Sequence, residues 1–302
     1  MRLIIIGFGY LGSIIYENLS KKYKVIVISR NNNLTYRINK NNYFNIKNYK
    51  KEKINKLIQS DDIILFTASP TEDEFKTYSQ SKLNSYLNFY DNLLKTSVNK
   101  NVSQFILFSS VKIYSKGLGI NENSPIKINS IYTKVKNNLE KKIIIYKAKH
   151  NTKFKIIRIS NVFGLSKIYN DNFDKLIIPS MLKSIFCSKE LVLYYPNLKK
   201  DFLSTYEFIF KLKKVIDHKI EKKYEVYNIC SYKSFSLINV SKTIKNIIKE
   251  KFGYNFKLII KSKERFKLSY KTKHKFLIKD FDDNYFNKEL TKLIIFFKNK
   301  YD

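Results

Sequence analysis

The sequence predicts an α/β protein: a doubly wound parallel sheet, with a smaller α/β lobe formed by the C-terminal part of the chain. Three observations predict it. Short runs rich in Ile, Val and Phe alternate with longer stretches of helical periodicity through the first half. Those runs are apolar at consecutive rather than alternate positions, as strands covered on both faces are. A glycine triplet follows the first run directly and opens the first helical stretch.

Taken in order, strands are expected at Leu3–Ile6, Lys24–Ser29, Asp62–Phe66, Gln104–Phe108 and Lys155–Ile159, with a weaker one at Tyr43–Ile46. Helices fit Leu11–Leu19, Glu52–Gln59, Lys82–Thr96 and Ile131–Ala148. After Gly164 the alternation loosens. A helix over Phe173–Phe186 contains Pro179, which either breaks it or starts it. Leu191–Tyr194 and Phe202–Leu203 read as extended, Tyr224–Ile229 and Phe256–Ile260 as strands, and Leu237–Lys249 and Glu289–Phe297 as helices. This divides the chain into a sheet domain over 1–165 and a lobe over 166–302, with parts of 200–230 returning to the first sheet. No flexible linker separates them.

The 302 residues are 44% apolar and carry a formal charge of +33. A chain this basic invites a nucleic-acid reading. Yet 53 of the 58 basic residues are Lys and only five are Arg, beside an excess of Ile, Asn, Tyr and Phe. An AT-rich coding sequence accounts for that pattern. Phosphate-reading surfaces favour Arg as well, because its planar fork meets phosphate bidentately. No nucleic-acid partner is therefore expected, although the charge would draw anionic substrates. Cys187 and Cys230 are far apart and lack CxxC or Cys/His spacing, and His150, His218 and His274 form no cluster, so no metal is expected. The apolar opening is too short for a secretory segment, and no run approaches the ~18 apolar residues of a membrane span. The expectation is a cytoplasmic protein without a membrane partner, and a homodimer is admitted.

Gly7-Phe8-Gly9-Tyr10-Leu11-Gly12 sits between strand and helix, the context in which GxGxxG binds a dinucleotide. The glycines permit a tight turn, backbone approach to pyrophosphate, and close packing of helix on strand. The helix N-terminus then presents unpaired N–H groups to the phosphates. With seven glycines in the chain, three in this spacing are not compositional noise. The fold is thus of Rossmann type, and Thr67 and Ala68, directly after the expected strand at 62–66, join Tyr10 and Leu11 as cofactor contacts. The second strand ends at Ser29-Arg30, where an acid would meet a ribose 2′-hydroxyl. Here a scarce Arg30 stands instead. It can pair with a 2′-phosphate, so NADP is expected, with NAD possible.

Six tyrosines have Lys four residues on (Tyr36, Tyr43, Tyr49, Tyr78, Tyr132 and Tyr195), so the spacing alone says little. Only Tyr132 follows a buried strand ending in Ser109-Ser110 and lies on an expected helix. There Tyr132 and Lys136 share a face, and an ammonium beside a phenol is expected to lower a pKa that starts near ~10. Ser110, four residues before Tyr114, is preferred over Ser109 as the hydroxyl that holds a substrate oxygen. Asn84 and Asn161 are candidate polar anchors.

These pieces resemble the extended short-chain dehydrogenase/reductase family of nucleotide-sugar epimerases, dehydratases and ketoreductases. The likeness covers most of residues 1–250. Phe105–Tyr114 is similar to that family's strand with its active Ser, and Tyr132–Lys136 with Glu140 to its Tyr/Lys helix. Arg158-Ile-Ser-Asn-Val-Phe-Gly164 resembles a segment whose Asn, here Asn161, meets the substrate. Lys200-Asp-Phe-Leu203 resembles a substrate-lobe stretch with Arg in the place of Lys200, and Tyr227-Asn-Ile229 resembles a strand of the family. The resemblance implies catalysis by Tyr132, Lys136 and Ser110 on a nucleotide sugar, with Lys136 also binding the cofactor's ribose and Asn161 and Lys200 at the substrate. Three departures narrow it. The cradle is one residue shorter than the family's GxxGxxG, Lys200 replaces an Arg, and Val111-Lys112 stand where 4,6-dehydratases carry Asp-Glu. The sequence therefore points to an NADPH-dependent reductase of a nucleotide-linked 4-keto-6-deoxy sugar serving polysaccharide synthesis, with a nucleotide-sugar 4-epimerase as the alternative. A non-catalytic dinucleotide-sensing or nucleic-acid-binding protein is the remaining rival.

Overall fold

Leu3, Ile4, Ile5 and Ile6 are all fully buried, as a strand covered on both faces must be. In the computed structural model they form part of a seven-stranded sheet. The structure describes residues 2–30, 38, 42–46, 51–146, 151–166, 173–262, 268–279 and 283–301. The first elements are β1 (Arg2–Ile6), α1 (Tyr10–Leu19), β2 (Lys24–Ser29), β3 (Tyr43–Asn45), α2 (Lys51–Leu57), β4 (Ile63–Phe66), α3 (Glu72–Lys76), α4 (Gln80–Asn99) and β5 (Gln104–Ser110). A 3-10 turn over Val111–Ile113 precedes α5 (Ile131–Tyr146), β6 (Lys153–Ile159) and β7 (Asn161–Phe163). Then come α6 (Ile177–Ser188), β8 (Glu190–Leu193), β9 (Lys199–Ser204), α7 (Thr205–Asp217) and β10 (Tyr224–Ile229). The chain ends with β11 (Ser234–Ser236), α8 (Leu237–Phe252), β12 (Lys257–Ile260) and α9 (Asp283–Tyr301).

The large sheet runs β10-β6-β5-β4-β1-β2-β3, and β6, β5, β4, β1, β2 and β3 are parallel. The order reverses between β1 and β4. Ligands of such sheets bind at that switch point, outside the carboxyl ends of the strands. Gly7, Arg30, Thr67 and Ser110 all lie at those ends, because their strands run in one direction. The helices α4 and α5 pack on one face through Tyr90, Leu93, Leu94, Val135, Leu139 and Ile143, against Ile4, Ile64, Phe66, Phe105 and Phe154 of the strands.

The chain separates into two compact units. One comprises residues 1–115, 125–159 and 217–227, the other 116–124, 160–216 and 228–302. In the second unit β7 pairs parallel with β9, β11 pairs antiparallel with β9, and β12 pairs parallel with β8. Of the stretch 200–230, the strand Tyr224–Ile229 joins the large sheet at its edge, whereas β9 belongs to the three-stranded sheet.

The expected strands form with their ends displaced by a residue or two, and the end of the helix expected to reach Ala148 lies outside the described residues. Pro179 starts its helix: it is the third residue of α6, where its missing N–H has no intrahelical partner to lose. Two helices were not anticipated. The α3 helix opens with a capping box at Thr71 and Glu74. The α7 helix buries Phe208, Leu212, Val215 and Ile216 at helical spacing.

Candidate active site

The glycine turn is built from three glycines for three different reasons. Gly7 adopts φ +101°, and a Cβ there would stand 2.5 Å from the Cα and N of Ala68. A Cβ on Gly12 would lie 2.2 Å from the Gly7 carbonyl oxygen, so α1 could not close on β1. Gly9, by contrast, has no atom within 4 Å of such a Cβ and an ordinary φ of −93°. Among the described residues nothing occupies the space a side chain would take there, so the backbone at Gly9 is open to close approach by a ligand. Gly9 is the N-cap of α1, whose first turn has no side-chain cap and no acid. The donor set therefore fits a dinucleotide pyrophosphate. Thr67 braces the turn by donating its hydroxyl to the Gly7 carbonyl at 2.7 Å, and Ala68 is held by its amide on the Ile6 carbonyl and by Tyr86. Tyr10 and Leu11 open α1 and are part-buried. Arg30 is exposed, one residue beyond β2.

Two strand spacings away, roughly 10 Å, β5 ends in Ser109-Ser110. The structure brings Ser110, Tyr132 and Lys136 together. The Ser110 hydroxyl interacts with the Tyr132 phenol and pulls its pKa down, but burial outweighs this and pushes the phenol up to about 12. Lys136 is buried, donates to the Phe108 carbonyl at 2.8 Å, and lies 5.6 Å from the centre of the Tyr132 ring. Burial brings its ammonium down to about 7, with Glu140 opposing. The expected lowering of the phenol by Lys136 is therefore absent from this structure. Helical spacing places the pair on one face, but desolvation acts on both groups and dominates.

Ser109 faces inward, where its hydroxyl donates to Glu140 at 2.5 Å. Glu140 also receives Arg158 through Nε at 3.2 Å and Nη2 at 2.7 Å, and Arg158 Nη1 donates to the Tyr114 hydroxyl at 2.7 Å. The motif segments contained these residues, but spacing alone did not link them. The scarcity of Arg was the available signal. The unanticipated α3 lies against Tyr132: Phe75 meets its ring edge-on at 6.1 Å. Glu72 of α3 pairs with Lys112 at 2.8 Å and raises the phenol further. The capping-box pattern in the sequence could have revealed α3. Asn84 is exposed on α4 and accepts from Gln80, so the helix surface engages it.

Asn161 and Lys200 belong to the second unit. Asn161 donates its amide to the Asp201 carbonyl at 2.9 Å, tying β7 to β9. Lys200 is part-buried and sits opposite Phe235 in the β9–β11 register. Beside it, buried Asp201 accepts from Ser160 and from the amides of Ser231 and Tyr232. Among the described residues no group of three His, Cys, Asp or Glu could hold a metal, and no helix is long and apolar enough to cross a membrane.

A parallel doubly wound sheet with this turn at its switch point defines a dinucleotide-binding α/β protein. The comparisons then fix the family. The NAD-dependent epimerase/dehydratase family model matches residues 3–230, and the chain belongs to that family. The fold is similar to a UDP-N-acetylglucosamine 4-epimerase from Methanobrevibacter ruminantium in complex with UDP-N-acetylmuramic acid. The TM-score is 0.82 at 16% identity, covering 99% of this chain and 98% of that one. A Thermotoga maritima UDP-glucose 4-epimerase with UDP-glucose gives 0.78 at 15% identity, with both chains fully covered. A Thermus thermophilus UDP-glucose 4-epimerase in complex with NAD gives 0.77 at 14%, covering 99% of each chain. Likeness at this identity shows the fold. A search of curated proteins returns no match.

Proposed function

We propose that this protein is a nicotinamide-dinucleotide-dependent reductase of a nucleotide-linked 4-keto-6-deoxy sugar. One observation carries the reading: a phenol engaged by a strand-tip hydroxyl, with a buried ammonium 5.6 Å from its ring centre, on the sheet edge that bears the glycine turn. Reduction of a ketone needs an acid at the carbonyl oxygen, and oxidation of an alcohol needs a base. We read Tyr132 as that acid. Ser110 would donate a hydrogen bond to the substrate oxygen, and Tyr132 would pass its proton to that oxygen as the carbonyl carbon is reduced. Lys136, when charged, favours the resulting phenolate. The bound dinucleotide supplies the hydride. Arg30 at the end of β2 supports NADP as the cofactor, and Val111-Lys112 in place of an acidic pair speaks against 4,6-dehydration. Asn161 and Lys200 are proposed substrate contacts of the second unit.

The second reading is a nucleotide-sugar 4-epimerase, favoured by the fold likeness to 4-epimerases. The two differ in cofactor balance. A reductase consumes NADPH in proportion to keto-sugar, and Tyr132→Phe lowers kcat by about 10²–10⁴-fold. Protein that interconverts 4-epimers with no net consumption of added NADPH would instead establish the epimerase.

A further inference from the structure

We propose that Glu140 is a positioning residue, whose carboxylate clamps the strand tip carrying Ser110 to the helix carrying Tyr132 and Lys136. The inference rests on the proton-transfer reading above. Glu140 follows Lys136 by four residues and Tyr132 by eight, so all three lie along one face of α5. It is buried, and both its oxygens are engaged. One accepts from Ser109 at 2.5 Å and from Arg158 Nε at 3.2 Å, the other from Arg158 Nη2 at 2.7 Å.

The clamp grips the chain on both sides of Ser110. Ser109 is the preceding residue and the register partner of Arg158 across β5 and β6. Tyr114, which receives Arg158 Nη1, closes the 3-10 turn that Ser110 caps. The guanidinium also lies 4.8 Å from the centre of the Tyr114 ring. Strand, turn, neighbouring strand and helix are thereby referred to a single carboxylate. Buried ion pairs of this kind add little net stability over apolar residues of similar volume. What the pair provides is a fixed arrangement, and proton transfer is sensitive to displacements of about 1 Å.

The test compares wild type, the charge-free pair Glu140→Leu/Arg158→Met, and Glu140→Gln. Crystal structures, kcat and dinucleotide Kd are measured for each. The double variant should fold and still bind dinucleotide, because the glycine turn is untouched. Its Ser110–Tyr132 separation should change by about 1 Å and its kcat fall by about 10²-fold. Glu140→Gln keeps an acceptor for Ser109 and loses the charge. Its kcat should fall less, and the high-pH loss of activity should move to lower pH. The groups around Lys136 that set that limb are Tyr132 and Glu140 on α5, Ser109 and Ser110 on β5, Arg158 on β6, and the Glu72–Lys112 pair near Tyr132.

A folded double variant whose Ser110–Tyr132 separation is unchanged within about 0.5 Å, with kcat within about twofold, overturns the proposal. Should the double variant not fold, an unchanged kcat and pH profile in Glu140→Gln overturns it equally. Absence of turnover by wild type on any keto-sugar would sink the substrate reading instead, and the crystal structures would still decide the clamp.

Discussion

Replacing each of the three turn glycines with Ala should separate folding from ligand binding. For Gly7→Ala the new methyl meets main-chain atoms of Ala68 at 2.5 Å, and the residue must hold φ +101°. Overpacking costs about 1–3 kcal/mol, and strained backbone costs about 1–3 kcal/mol more. A loss of about 3 kcal/mol corresponds to a Tm lower by about 6–12 °C. For Gly12→Ala the clash at 2.2 Å is with a carbonyl oxygen that cannot rotate away. Helix propensity returns about 1 kcal/mol, leaving a net loss of about 2 kcal/mol. Gly9→Ala meets nothing within 4 Å, so its stability should lie within about 0.5 kcal/mol of wild type. Its affinity for dinucleotide should nevertheless fall at least about tenfold, or about 1.4 kcal/mol. Thermal unfolding followed by circular dichroism reads the first quantity and isothermal titration calorimetry the second. A Gly9→Ala protein of unchanged Tm that binds dinucleotide as tightly as wild type would refute the argument that the phosphates pass over Gly9.

Arg30→Glu should lower NADPH affinity by about tenfold or more while leaving NADH within about threefold, since it removes a phosphate partner and adds a repulsive charge. Equal losses for both dinucleotides in a fluorescence titration would detach Arg30 from cofactor choice. Lys136→Met should abolish activity yet stabilise the protein. The pKa of Lys136 is lowered to about 7, so between about pH 7 and the usual ~10.4 the unfolded chain binds the extra proton and stability rises with pH. The penalty of about 3–5 kcal/mol is fully present below pH 7. The Tm gain of Lys136→Met should thus be largest near pH 6 and shrink toward pH 10, and a pH-independent gain would contradict it.

Much of the fold was legible because the strands of a parallel sheet announce themselves. Continuous runs such as Ile4-Ile5-Ile6 or Ile63-Ile64-Leu65-Phe66 are fully buried, and few other settings take four bulky apolar residues in a row. The α7 helix was missed because its apolar positions are mixed with buried Lys211 and Glu207, which pair with each other at 2.6 Å. A charge that is hidden by its partner looks, in sequence, like a charge in water. The second unit was harder throughout. Its strands are three to six residues long, and segments as distant as 116–124 and 268–273 meet there through Glu122, which accepts from Thr272 and from the amides of Asn228 and Lys273.

At the site, what spacing encodes is proximity, and what it omits is the dielectric. Tyr132 and Lys136 are four residues apart and do share a face, yet the phenol moves up and the ammonium moves down. Both shifts have the same largest cause. Each group becomes charged in water more readily than beneath Phe75 and against β5, so burial drives each toward its neutral form. The same burial is what makes a single nearby charge effective, because an ion at a few ångströms acts far more strongly here than in solvent. Glu140 is the charge that opposes the fall of Lys136, and Arg158 is the charge that holds Glu140. Burial thus sets the direction of both shifts, and the charge that tempers the one on Lys136 is itself held by a residue twenty-six positions along the chain from Tyr132, through contacts that no local spacing records.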